Sequence, residues 1–111
     1  MFDTKDHSFH NAETAAKDGA FFENREGFKY LTVDIDGDPT SFTLNFEQSS
    51  INGARRSLKG INVADWSTGI TTSTSHQTWQ FDISGIKRVY MDLAAITQGE
   101  GSLTVKGTAG Y

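Results

Sequence analysis

The sequence predicts a single antiparallel β-sandwich, of jelly-roll or immunoglobulin-like kind. Five separate runs alternate apolar and polar residues with a period of two. Turn residues punctuate the gaps between those runs, at the spacing of short paired strands. A chain of 111 residues, 36% hydrophobic and 12% aromatic, has enough material for one small core and no second domain.

The first twenty residues stand apart. They are polar and lack clear periodicity, and Ala12 to Lys17 suits a short helical turn or an extended stretch. Residues 1–20 are therefore expected as an N-terminal arm or edge segment, and 21–111 as the sandwich. Phe2 and Phe9 are the apolar anchors of that arm, spaced to gain contact on a neighbour.

The strands follow in order. Tyr30 to Ile35 places Leu31, Val33 and Ile35 on one face and Tyr30, Thr32 and Asp34 on the other. Asp36-Gly-Asp-Pro39 is a turn, because Gly37 tolerates positive φ and Pro39 cannot donate to a ladder. Phe42, Leu44 and Phe46 face inward from the next run, which Asn52-Gly53 ends with a hairpin signal. Ala64 to Gln77 is rich in Thr and Ser and reads as an extended loop or edge strand. Trp79, Phe81 and Ile83 form one inward set, and Val89, Met91 and Leu93 another. Leu103 and Val105 close the series after a turn at Gly99-Glu-Gly101.

Composition narrows the function classes. The net charge of −4 gives no electrostatic case for nucleic-acid binding. Without cysteine there is no disulfide framework, thiolate metal site or cysteine nucleophile. The N-terminus lacks the apolar core of a signal peptide, and no apolar run reaches the length of a membrane span. Synthesis in a bacterial cytoplasm, with no membrane association, is the expectation.

No constellation points to catalysis or a cofactor. The histidines at 7, 10 and 76 lack zinc spacing, and no Gly-x-Ser-x-Gly elbow is present. Asp34, Asp36 and Asp38 recur at every second residue, which would put three carboxylates on one strand face for a calcium ion. A solvated strand end is the plainer reading of them. Arg55, Arg56 and Lys59 form a basic cluster, either a charged edge that resists strand addition or a docking patch. Trp66, outside the alternating set, suits the end of a sandwich, a protein interface or a sugar platform.

The second half carries a recognisable order. Gly60-Ile-Asn-Val-Ala-Asp65 precedes a Thr/Ser-rich stretch, then Trp79-Gln-Phe-Asp-Ile-Ser-Gly85, a strand with Arg88, and Gly101-Ser-Leu-Thr-Val-Lys-Gly-Thr-Ala109. From Tyr30 to Ala109 this resembles a family of small β-sandwich proteins of tailed bacteriophages and prophages. Phe42 to Glu47 is similar to a further strand of that family. The chain departs from it at Ser49-Ser-Ile-Asn-Gly-Ala-Arg55, where the usual Ser-x-Asp-Gly-Gly-x-Trp hairpin is missing.

The resemblance implies a virion structural accessory protein, foremost a capsid decoration protein seated in multiple copies on the head. Its partners would be other virion proteins, the major capsid protein first, and copies of itself. Phe2, Phe9, Arg55, Arg56, Lys59 and Trp66 are the expected interface residues. The alternative is a tail-fibre or baseplate module that binds host-surface glycan, with Trp66 and the carboxylates of Asp34, Asp36 and Asp38 lining one groove.

Overall fold

The structure, a computed structural model, describes residues 4–97 and 101–111. Phe2 and the Gly99–Glu100 part of the last expected turn lie outside the described residues. The described chain contains no helix and forms eleven strands: β1 (Lys5–Glu13), β2 (Phe22–Glu23), β3 (Tyr30–Gly37), β4 (Phe42–Ser49), β5 (Arg56–Ser57), β6 (Gly60–Asn62), β7 (Thr68–Gly69), β8 (Thr71–Thr72), β9 (Gln77–Asp82), β10 (Arg88–Ile96) and β11 (Leu103–Gly110).

Two antiparallel sheets pack face to face. One has the order β1-β11-β3-β9-β6-β7, and the other β2-β10-β4-β5, with β8 also pairing with β4. The period-two residues explain the packing. Leu31, Val33, Ile35, Trp79, Phe81, Leu103 and Val105 point inward from the first sheet, and Phe42, Leu44, Phe46, Val89, Met91 and Leu93 from the second. Phe46 makes the central contact, with ring centroids 5.0 Å from both Trp79 and Phe81. Burying a side chain of this size gains about 1.5–3 kcal/mol, so these rings dominate the core.

The chain crosses between sheets at its expected turns. Gly37, with φ of 127°, ends β3 so tightly that a Cβ would stand 2.1 Å from the Ser102 carbonyl oxygen. Ser84–Gly85 carries the chain from β9 to β10, with Gly85 at φ 76° and Ile86 N–H bonded to the Ile83 carbonyl. Asn24 anchors the loop before β3. Its buried amide donates to the Phe28 carbonyl (2.9 Å) and accepts from the Phe28 N–H (2.8 Å). The same Nδ2 reaches the Ile86 and Ile83 carbonyls, so one amide ties the loop before β3 to the turn between β9 and β10.

The N-terminal segment takes the edge-segment form of the two expected for it. β1 pairs with β11 from Lys5↔Ala109 to Glu13↔Leu103, with register shifts on either side of His10. Phe9 is 2% exposed and belongs to the core, which corrects its expected role as an anchor for a neighbour. The cause is the bulge, which turns both Phe9 and His10 toward the interior. His10 Nε2 meets the Met91 carbonyl oxygen at 2.5 Å, bridging the two sheets. Because a carbonyl only accepts, the proton sits on Nε2. Lys17 then forms a two-way bridge with Leu93, so residues between β1 and β2 lie along the second sheet.

The expected loop from Ala64 to Gln77 contains β7 and β8. Each is two residues long, as suits edges that must not recruit another chain.

Candidate functional site

The hairpin between β6 and β7 is the most specifically built exposed feature. Its strands pair through Gly60↔Gly69 and Ile61↔Thr68. Two side chains shape the loop between them. Asn62 Oδ1 accepts the Ala64 N–H at 3.0 Å, and Asp65 Oδ1 accepts both the Ser67 N–H (3.0 Å) and the Ser67 hydroxyl (2.6 Å). Those two donors hold the Asp65 carboxyl below the usual carboxylate range.

Trp66 stands at the apex. Its N–H donates to the Asn62 carbonyl, its φ is 62°, and its side chain is 73% exposed. A left-handed conformation costs a residue other than glycine roughly 1–2 kcal/mol. Here that cost falls on the largest apolar side chain, which buries almost nothing in return. The indole therefore stands in solvent and does not cap the sandwich. Ile70, also exposed, follows directly after β7.

The basic cluster divides. Arg55 lies on the outer face of the second sheet, its fork on Asp18 through two bonds of 2.5 and 2.7 Å and on Glu47 through a third of 2.5 Å. Its guanidinium carbon sits 4.0 Å above the Tyr90 ring, and the Tyr90 hydroxyl meets Ser49 Oγ at 2.8 Å. Arg55 thus joins the segment before β2 and the loop before β5 to the sheet, instead of facing a partner as expected. Its pair keeps Asp18 ionised, holding that carboxyl below its ordinary value. Asp92 beside them is pushed up, first by burial and then by the charges of Asp18 and Glu47. Arg56 and Lys59 remain exposed.

The three spaced aspartates do not converge. Asp34 accepts the Thr78 hydroxyl at 2.6 Å, Asp36 lies 3.8 Å from His76, and Asp38 receives the Ser102 N–H at 3.4 Å. Among the described residues no three His, Cys, Asp or Glu gather as metal ligands. Strand β9 lies between β3, which carries Asp34 and Asp36, and the β6–β7 hairpin that carries Trp66.

Sequence reasoning missed Tyr30 and Ile61, apolar residues on the outer face of the first sheet beside an open trough of about 460 Å3. Their signal was present as apolar residues in the outward phase of a strand. It also missed Phe21, which is exposed under the Arg88 guanidinium at 4.9 Å.

The XepA family pattern matches residues 3–109 of the chain. The chain is 35% identical over 100 residues to YomS, an SPbeta prophage-derived protein of Bacillus subtilis, spanning 90% of this chain and 81% of YomS. It is 32% identical over 106 residues to XepA, a protein of the phage-like element PBSX of the same organism. That match covers 96% of this chain and 37% of XepA. The crystal structure of YomS superposes with a TM-score of 0.93 over the whole of this chain and 96% of that one. The crystal structure of XepA, described as a PBSX exported protein, gives 0.93 over 99% of this chain and 38% of that one.

Proposed function

The chain belongs to the XepA family, and from that premise we propose that it is a bacteriophage virion structural accessory protein, seated in multiple copies on the head surface. Phage association is shared across the family's prophage-derived members. Trp66 carries the reading. A rigid sandwich presents a single indole on a hydrogen-bonded turn, at a backbone cost the fold does not need for its own core. Tryptophan is enriched among the residues that anchor interfaces, and repetition on a symmetric shell turns a modest interface into firm attachment. The major capsid protein is the partner that such a shell offers, and the exposed Arg56 and Lys59 add positive charge for it. The proposed role is binding without turnover.

The description of XepA as exported fits release together with particles. The test uses particles that lack the protein, with purified chain added back. Wild-type protein should sediment with the particles in fixed copy number. Trp66→Ala should weaken attachment at least about tenfold, as loss of an anchor of more than 1.4 kcal/mol requires. Its melting curve should not change. Protein left wholly in the supernatant, with bare particles, would refute the proposal.

A further inference from the structure

We propose that the trough on the outer face of the six-stranded sheet is a binding site for a neutral pyranose sugar, built from Tyr30, Ile61, Gln80 and Asp82. The trough measures about 460 Å3, and its lining comes from three adjacent strands, β3, β9 and β6. That volume lies within the usual range of small-ligand sites.

The register sets the four side chains at the corners of one patch. Tyr30 is directly opposite Asp82, and Ile61 directly opposite Gln80. Opposed residues on one sheet face stand roughly 4.5–5.5 Å apart at Cβ. Gln80 and Asp82 are two residues apart on β9, about 7 Å along the strand. The trough therefore sets an aromatic residue beside a carboxylate and a branched alkyl group beside an amide, the two pairs about 7 Å apart along β9. Tyr30 and Ile61 are 38% and 39% exposed, and neither contributes to the core.

Two features fix the patch in place. A Cβ on Gly110 would lie 2.3 Å from Tyr30 Oη and 2.5 Å from Cζ. The tyrosine ring thus rests on bare backbone of β11, and its remaining surface is left to the solvent side. The Ser84 N–H donates to Asp82 Oδ1 at 3.0 Å, which orients the carboxylate and favours its ionised form. The backbone beneath is tied as well, since Ile83 N–H bonds to the Lys29 carbonyl and Lys29 N–H to the Gly110 carbonyl.

The chemistry selects the ligand. A carboxylate accepts from vicinal hydroxyls, and an amide both donates and accepts. Tyr30 and Ile61 offer apolar surface to the C–H face of a pyranose. Lys29 and Asp82 both line the trough and their formal charges cancel, so a neutral ligand suits it better than an anion or cation. Neither Trp66 nor attachment to a particle enters this argument.

The isolated protein is titrated with the methyl glycosides of glucose, galactose and mannose and with N-acetylglucosamine, while backbone amide shifts are followed by NMR. Sorbitol serves as the acyclic control. At least one pyranose should shift the amides of Tyr30 and of Gln80 to Ser84, saturating in the millimolar range. Tyr30→Ala and Asp82→Asn should each weaken that binding tenfold or more, with the melting temperature retained. The site is refuted if no pyranose moves these amides by about 50 mM. It is equally refuted if sorbitol moves them alike, or if both variants titrate as wild type does. Particle attachment is read in a separate assay, so the two proposals fail independently.

Discussion

Gly60 lies under the ring of Phe81, and adding a single methyl group there should unsettle the centre of the core. A Cβ at position 60 would stand 2.4 Å from Phe81 Cε2, 2.8 Å from Cδ2 and 2.9 Å from Cζ. The ring cannot retreat. Phe81 is fully buried and packs edge-on against Phe46, which in turn abuts Trp79. Overpacking of this kind costs about 1–3 kcal/mol. For a domain of this size that lowers the melting temperature by roughly 4–12 °C. The clash is with ring atoms that leucine lacks, so Gly60→Ala in a Phe81→Leu background should cost less than about 1 kcal/mol. The coupling between the two sites is then about 1–2 kcal/mol, well above the additivity error. Urea denaturation of the four proteins measures it, with equal slopes confirming a common unfolding transition. If Gly60→Ala costs the same in both backgrounds, the ring contact is not the cause and the reasoning fails.

Asp92→Asn should stabilise the protein at pH 7. The carboxyl is pushed up in the fold, so the native state holds its proton more tightly and stability declines as pH rises through that window. The gain should vanish near about pH 3, where Asp92 is protonated in both states, and a gain independent of pH would contradict this account. Asp18→Asn should do the reverse, since its lowered carboxyl contributes stability above the ordinary value that is lost on acidification. Asn24→Asp removes the donor to three carbonyls and should cost about 1–3 kcal/mol, with faster amide exchange at Phe28; an unchanged melting curve would argue against the clamp. Trp66→Gly should be more stable than Trp66→Ala by about 0.5–1 kcal/mol, because glycine accepts positive φ without strain, and equal stability would remove the case for a strained turn.

The core was legible because alternation is a local signal. Leu31 to Val105 in the inward phase need no knowledge of partners, and all are buried. β1 was not legible. Its run, Lys5 to Glu13, holds one large apolar residue, and a bulge breaks the period where Phe9 and His10 turn inward. Arg55 was misread for another reason. Its acids lie at positions 18 and 47, and its aromatic partner at 90, so no local pattern shows that the cation is already engaged. Trp66 was visible as a residue out of phase, but its exposure depends on a turn set by Asn62 and Asp65 side chains. Tyr30 and Ile61 sat in plain view as outward apolar residues. What brings them to one trough is cross-strand register, which alternation leaves unspecified.

The position of β11 governs when the six-stranded sheet can close. It follows the other ten described strands in the chain, yet it lies between β1 and β3, the first and third. While a ribosome is still extending the chain, both of those strands keep an open edge where β11 will later fit. Phe9, which rests against Gly107 of β11, has no seat until then. A chain cut short before β11 would leave the nine residues of β1 unpaired and one edge of the eight-residue β3 open, the kind of edge that recruits other chains. In the folded chain the edge strands β2, β5 and β7 are two residues long, and the nine-residue edge β1 is broken by a bulge at Phe9 and His10. Until β11 pairs, the edge of β3 that it covers has no such protection.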